Sequence, residues 1–406
     1  MPPPRLVVDL RSDPRSSADP LYDVAVVGAG IAGCAAALGL AHVGLRTALV
    51  GPEVRVHEPS ADAPFDPRIY ALAPASIEML SRLRVWDRID ATRVQDVARI
   101  RVFGDSGGSL SFDAWSQAVS RLAVIVEERE PLRVLDAACR FGAVERIDAS
   151  LDGVEFRQDD VRLRLAGGRS LSARLVVGAD GSRSAVRAAA GIPAQQHPYG
   201  QTALVSNFAI ERPHRGVAWQ WFTPDGIIAL LPLPGDFVSL VWSAPDALVP
   251  ALAALAPEDF ARRVGAVSAA SHGRLRPAGG VHRFPLQRID VEPLVRPRLA
   301  LVGDAAHVIH PLAGQGLNLG LQDVSELLQA LGPEARAARD PGDPRVLQRY
   351  ARRRAEPIRG MRVVTDGLAR MFATEDATWR RLRNAGMRLV DRSGPLKRAL
   401  VRRALG

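Results

Sequence analysis

Cysteine is nearly absent: Cys34 and Cys139 are the only two in 406 residues. Two thiols build neither a disulfide framework nor a zinc site, so the expected compartment is a reducing cytoplasm. Lysine is scarcer still. Lys397 stands alone, and the net charge of +9 is carried almost wholly by arginine. Such a balance admits nucleic acid, an anionic membrane or an acidic cofactor as partner. No helix-turn-helix, zinc finger or aromatic RNA platform accompanies the charge, which argues against nucleic acid. Long apolar runs are missing as well: Leu171 to Gly178 and Ile227 to Pro234 are far too short to cross a bilayer, so a soluble or peripheral chain is expected. The first twenty residues are rich in Pro and Ser and hold no apolar core, so 1–20 reads as a flexible leader rather than a secretory signal. There is no cysteine–histidine pair and no metal cluster, and the single G-x-S-x-G, Gly104 to Gly108, falls between hairpin-like strands, so the common hydrolytic designs find no support.

What is present begins at Asp23–Val27, a short apolar run of the kind that makes a buried parallel strand. It runs straight into GAGIAGCAAALGLAHVG, where Ile31 to His42 reads as a helix, Gly44 as its stop and Arg46 to Val50 as a second strand. Gly28, Gly30 and Gly33 thus form G-x-G-x-x-G in a β-α-β context. The first glycine permits the tight turn, the second lets backbone approach a pyrophosphate, and the third lets helix and strand close up. The acidic residue that usually ends the second strand is replaced by Gly51; Glu53, two residues on, is either its substitute or a solvated loop carboxylate.

Two further motifs follow buried strands. In GADGSRSAVR, Gly178 to Arg187, Asp180 is placed to cap the next turn, with Arg183 and Arg187 nearby as anion partners. In LVGDAAHVIHPLAGQGLNLGLQD, a strand ends at Gly303 and Asp304 is set to accept hydrogen bonds from polyol hydroxyls. Gly314 and Gly316 let backbone amides approach a flat ring from a helix beginning near Leu317, whose positive end would favour an anionic ring. His307 and His310 lack a carboxylate–histidine cluster and read as structural or supporting residues.

These motifs in this order resemble the single-component flavoprotein aromatic hydroxylases that share the fold of para-hydroxybenzoate hydroxylase. DPRIYALAPASIEMLSRLRVWDRI, the Gly178 to Arg187 segment, WFTPDGIIALLPLPG, FPLQ and GDAAHVIHPLAGQGLNLGLQD are similar to the ubiquinone-biosynthesis hydroxylases that modify polyprenylated phenols, from Asp23 to the C-terminal helices. The resemblance implies an α/β protein: a Rossmann-like FAD-binding domain of 21–73, 98–190 and 292–335, an inserted mixed-sheet substrate domain of 74–97 and 191–291, and a helical region of 336–406. It implies FAD held through Gly28, Gly30 and Gly33, with Arg68 over the pyrophosphate, Arg129 near the ribityl chain, Asp180 in the shared flavin and nicotinamide motif, and Gly303 and Asp304 at the ribityl hydroxyls. Pro311, Gly314, Gly316, Leu317 and Asn318 would line the isoalloxazine, with Pro311 and Gly314 at the reacting face and no acid or base residue. NAD(P)H would be a transient co-substrate that reduces FAD; oxygen would add at the flavin C4a position and pass as OH to an electron-rich ring. The implied substrate is an aromatic small molecule with an apolar tail, within a biosynthetic complex or outside one.

Three alternatives stay open at this point. Trp219-Gln220-Trp221 nearly matches an element of flavin halogenases, although those enzymes need a tunnel lysine that this chain lacks. Where Gln220-Trp221 stand, the ubiquinone hydroxylases tend to have Glu-Arg, and Trp219, Trp221 and Phe222 fill a sheet core or wall an aromatic pocket. From Trp379 onward nine basic residues face one acid, Asp391, which suits either a peripheral helix on the inner face of a membrane or a solvated face packed on the protein. Beside the ubiquinone hydroxylase stand a hydroxylase of another phenolic metabolite and a catalytically silent flavoprotein scaffold.

Overall fold

The computed structural model describes residues 21–53, 63–105, 107–268, 271–311, 314–332 and 340–373, together with 384, 386, 387, 389–391, 393, 394 and 397. The expected leader, residues 333–339 and most of the Arg-rich stretch lie outside the described residues.

Two sheets and a small third one organise the chain. The apolar run becomes the strand Leu21–Val27, which pairs in parallel with Thr47–Gly51 on one side and Ser170–Gly178 on the other. Leu299–Leu301 adds a further parallel strand beside Ser170–Gly178, and Val144–Asp148 adds one beside Thr47–Gly51. These five parallel strands form the doubly covered centre of an eight-stranded sheet, as their unbroken apolar runs require, and the other three strands pair antiparallel at its margins. The helix Ile31–His42 is buried almost all round, because it lies in one core with the helices Arg129–Phe141 and Gln315–Leu331. A second core on the other face is built from Tyr22, Ala25, Val27, Val176 and Leu301. Cys34 and Cys139 are buried free thiols where the first two of those helices meet.

The second sheet has nine strands. Its centre is Ala194–Ile210, Phe237–Pro245, Gly226–Leu233 and Val217–Thr223, paired antiparallel in that spatial order. Because side chains alternate along a strand, this sheet has two distinct faces. One carries Leu204, Trp242, Ile228 and Trp221 and is covered by the helices Val249–Ala253 and Pro257–Val267. The other carries Ala218 and Leu231, which share an apolar cluster with Phe65, Ile69 and Ala71 from the nucleotide-binding side.

The sequence-based boundaries differ from this topology in two places. The hairpin Arg99–Phe103 and Ser109–Asp113, expected in the nucleotide-binding domain, extends the large sheet, because Arg99–Phe103 pairs in parallel with Val217–Thr223. Conversely, the helix Pro74–Arg82, expected with the substrate domain, buries Met79 and Leu80 in the core around Ile31–His42. The strand Val94–Val97 joins Ile69–Leu72 and Ala123–Glu127 in the three-stranded sheet.

At the C-terminal side, the helix Pro344–Ala373 lies along Gln315–Leu331. Beyond it, Asn384 is buried against the hairpin, accepting from Gly108 N at 2.8 Å and donating to Asp105 Oδ1 at 2.9 Å. Asp391 accepts from Ser111 N at 3.1 Å, and Lys397 donates to Asp391 at 2.8 Å. Where it is described, this stretch therefore docks on the large sheet. Among the described residues no helix is long and apolar enough to cross a membrane.

Candidate cofactor and substrate cleft

Three segments far apart in sequence meet at the carboxyl ends of the parallel strands. Gly28 has φ +114°, and a Cβ there would lie 2.2 Å from the Ala179 carbonyl oxygen. A Cβ on Gly33 would lie 1.8 Å from the Gly28 carbonyl oxygen, so helix and strand close up only with glycine. Around Gly30, by contrast, a Cβ would meet nothing within 4 Å. The backbone hydrogen bonds Ala179 N to Val27 O at 2.8 Å and Val302 N to Gly178 O at 3.0 Å tie the three motifs together.

Both helices that start here lack a side-chain cap. Ile31–His42 begins after Gly30 and Gln315–Leu331 after Gly314, and neither start receives a side-chain cap hydrogen bond. Their first-turn N–H groups are left for a ligand, at the positive ends of the helix dipoles. Gly316 likewise has open space where a Cβ would stand, and Gly314, at φ +63°, lies against Ala71. The third motif behaves differently. Asp180 caps the helix Ala185–Ala189, accepting from Ala185 N at 2.7 Å and Val186 N at 3.1 Å, as well as from Ser184. Arg187 then donates to Ala305 O at 2.9 Å and braces the turn that carries Asp304, while Arg183 is exposed.

Asp304 offers the cleft an acceptor that the described residues leave unused. No described residue donates a hydrogen bond to its carboxylate. Its surface is open to the cleft, yet protein walls it closely enough that desolvation raises its pKa above the ordinary 3.8; nearby His307 opposes this and Glu128 adds to it. Hydroxyl donors from a polyol chain would supply what the carboxylate lacks. Uncapped helix ends, open glycine backbone and an unpartnered acid together fit the phosphates, ring and ribityl chain of a flavin dinucleotide.

Behind Asp304 lies a buried charged network that sequence reading missed. Asp323 Oδ2 accepts from Gly303 N at 2.9 Å and from His307 Nε2 at 2.7 Å, and Asp323 Oδ1 accepts from Arg354 Nε at 2.6 Å. Burial pushes the Asp323 pKa up, but His307, Arg354 and the Gly303 N–H outweigh it and hold the carboxyl below its usual value. His310 is buried against Tyr199, 4.6 Å between ring centres, and hydrogen-bonded to Gln201; burial holds it neutral, near pKa 4. Neither histidine belongs to a metal-binding group among the described residues.

The remaining expected residues are distributed as follows. Arg68 reaches Glu128 at 3.1 Å and lies over the Phe284 ring, with Tyr70 donating to the same carboxylate at 3.1 Å. Arg129 donates to Pro64 O and Glu127, both at 2.8 Å, and Glu127 also forms a fully buried pair with Arg93. Pro311 is half-buried, accepting from Gly314 N at 3.1 Å. Leu317 packs into the core around Ile31–His42. Asn318 is 1% exposed, with Oδ1 accepting from Ala73 N and Ser76 Oγ and Nδ2 donating to Ala71 O, so its amide ties the helix start to the segment 71–76. A Cβ at Gly51 would lie 3.0 Å from Ala29, which explains why this position holds no acidic side chain; Glu53 is exposed.

Beside the cleft, the inner face of the large sheet forms a floor. Val241, Ala229, Gln220 and Val102 are paired neighbours across it, and all four are only half-buried although their strands are central. Trp219 and Trp221 point the other way. They stack on Phe103 at 5.7 and 6.0 Å, next to the outer helices, so the halogenase-like tryptophans face away from the cleft.

The family profile described as "FAD binding domain" matches residues 21–365. Ubiquinone hydroxylase UbiL of Rhodospirillum rubrum is 38% identical, with 96% of this chain and 91% of that protein covered. The 3-demethoxyubiquinol 3-hydroxylase of Escherichia coli is 34% identical, over 95% of this chain and 98% of the relative. Ubiquinone biosynthesis monooxygenase COQ6 of Mus musculus is 30% identical, over 95% and 91%. In architecture the chain is similar to p-nitrophenol 4-monooxygenase PnpA from Pseudomonas putida, with a TM-score of 0.77 at 20% identity over 94% of this chain and 98% of that one.

Proposed function

The chain belongs to the ubiquinone-biosynthesis hydroxylases within the FAD-binding monooxygenases, and on that premise we propose that it hydroxylates the ring of a polyprenylated phenol, with NAD(P)H as reductant and O2 as oxygen source. The observation that carries the reading is the Asp304 carboxylate, which no described residue engages, set between two uncapped helix starts and beside a half-buried apolar floor.

Bound FAD would supply the redox chemistry, accepting a hydride from NAD(P)H and activating oxygen for transfer to an electron-rich ring. The residues supply placement. Gly28, Gly30 and Gly33 with the N-terminus of Ile31–His42 would hold the pyrophosphate, and Arg68 would exchange Glu128 for it. Asp304 would accept from the ribityl hydroxyls, with Gly303 setting its turn, Arg187 bracing that turn and Asp180 capping the helix that carries Arg187. Arg129 stands by the same chain. Pro311, Gly314 and Gly316 would admit the ring edge, while Leu317 and Asn318 fix the helix that presents it. No side chain needs to act as acid or base in this scheme. The half-buried apolar strand faces would take the substrate and exclude water, which limits loss of reducing equivalents as peroxide.

A tail dissolved in lipid calls for access from a membrane surface, and the Arg-rich stretch after Trp379 supports a peripheral contact there. Retention on anionic liposomes in a flotation assay supports that contact; failure to be retained refutes it. For the reaction, the protein is expressed in strains that each lack one ring hydroxylase, and quinone intermediates are measured. Restored ubiquinone in one strain supports the proposal and assigns the ring position. No restoration in any of them refutes the pathway.

A further inference from the structure

On the floor of the cleft one residue does not match its surroundings. The sheet register places Val205, Val241, Ala229, Gln220 and Val102 side by side on five adjacent strands, and four of the five side chains are apolar. Gln220 is the exception. Its carboxamide takes part in no hydrogen bond with any described residue, although it is only half-exposed. Both ends of that amide stay accessible from the cleft, so its donor and its acceptor are available to a partner that displaces water there.

The location suggests what that partner is. Along its strand Gln220 is flanked on the same face by Ala218, whose cluster includes Ala71, and Ala71 lies against Gly314 at the start of the ring-side helix. Residues two apart on a strand are separated by about 7 Å. The Gln220 amide therefore stands roughly one aromatic ring's width beyond the wall that adjoins Gly314. Its sequence neighbour Trp221 is on the opposite face and does not compete for that space.

We infer that Gln220 is a specificity-determining residue, whose amide hydrogen-bonds an oxygen substituent on the substrate ring while the apolar neighbours hold the rest of the ring and the start of its tail. The inference rests on the proposed function and adds to it the group that reads the ring. An amide both donates and accepts, so it serves a phenol or a methoxyl oxygen, whereas an arginine at this position would select an anionic substituent.

The test uses the FAD-loaded enzyme and two probes, 2-prenylphenol and prenylbenzene, which differ by the ring oxygen. Binding is followed by perturbation of the flavin absorbance, and the ratio of NADH oxidised to product formed is measured. The expected wild-type preference for the phenol is roughly 3- to 10-fold, the range of one neutral hydrogen bond in a buried site. In Gln220→Leu and Gln220→Met that preference falls to about one, while the flavin spectrum and prenylbenzene binding stay as in wild type. Two variants of different shape guard against a local misfold. If both keep the wild-type preference, the inference is overturned and the proposed function survives. If the wild-type enzyme responds to neither probe, both fall together.

Discussion

The carboxylate of Asp323, fully buried, accepts the backbone N–H of Gly303 at 2.9 Å and so fixes the turn from which Asp304 is presented. Its other contacts, His307 and Arg354, come from the strand after that turn and from the long helix behind it. Three elements thus converge on one acid that never touches the cleft.

Asp323→Asn leaves Arg354 buried without its counter-charge. Breaking a buried pair from one side costs about 3–5 kcal/mol. Thermal unfolding of the apoprotein measures this, and a change within experimental error would contradict it. The Asp323 carboxyl is held below 3.8 in the folded state, so its stabilisation is present above that value and is lost as pH falls through the lower folded one. The variant's deficit should therefore be constant from pH 5 upward and shrink only in strong acid.

Asp304→Asn should act in the opposite sense on the empty protein. The Asp304 pKa is raised, so its ionised form is disfavoured by folding: the penalty is absent below 3.8 and grows as pH rises through the folded value. At neutral pH the variant apoprotein should melt above wild type, with the difference vanishing near pH 4 and below. Its FAD affinity should drop roughly 10- to 100-fold, the range for a hydrogen bond to a charged group. A variant that binds FAD as wild type does would remove Asp304 from the site.

Gly30 and Gly33 separate binding from folding. Alanine at Gly33 would place a Cβ 1.8 Å from the Gly28 carbonyl oxygen, so the apoprotein should lose at least about 1–3 kcal/mol of stability. Alanine at Gly30 meets nothing within 4 Å, so that apoprotein should melt like wild type and bind FAD more weakly. Equal loss of stability in both would contradict the assignment.

His272 and His310 predict the acid limb of stability. Burial holds both near pKa 4, below the 6.5 of an ordinary histidine. A depressed histidine costs nothing above 6.5 and destabilises the fold progressively as pH falls from there to about 4, because only the unfolded chain takes up the proton. Neither ring nitrogen of His272 has a hydrogen-bond partner among the described residues, so His272→Leu should flatten the stability curve over that window. An unchanged slope would count against it.

Much of this was legible in the sequence because it depends on local backbone. The Gly28 turn, the strand Leu21–Val27 and Asp180 as a helix cap follow from spacing and from which residues tolerate a given φ. What was not legible depends on partners far away. Nothing local tells that Asn318 uses its amide on Ala71 and Ala73, or that Asp323 meets Arg354. The hairpin Arg99–Asp113 was expected in the wrong domain for the same reason: a parallel partner, Val217–Thr223, lies more than a hundred residues on. Face assignment was also hidden, since Trp219 and Trp221 read equally as sheet core or as pocket wall until register placed them on the face opposite Gln220.

The central claim is that the cleft holds a redox-active flavin against an oily ring substrate, and one titration tests it most directly. Apoprotein is incubated with FAD, freed of excess, and mixed anaerobically with NADH with and without 2-prenylphenol while the flavin absorbance is followed. The account predicts a yellow protein whose flavin bleaches, and bleaches faster with the phenol present. A protein that stays colourless, or a bound flavin that never bleaches in either condition, would contradict it.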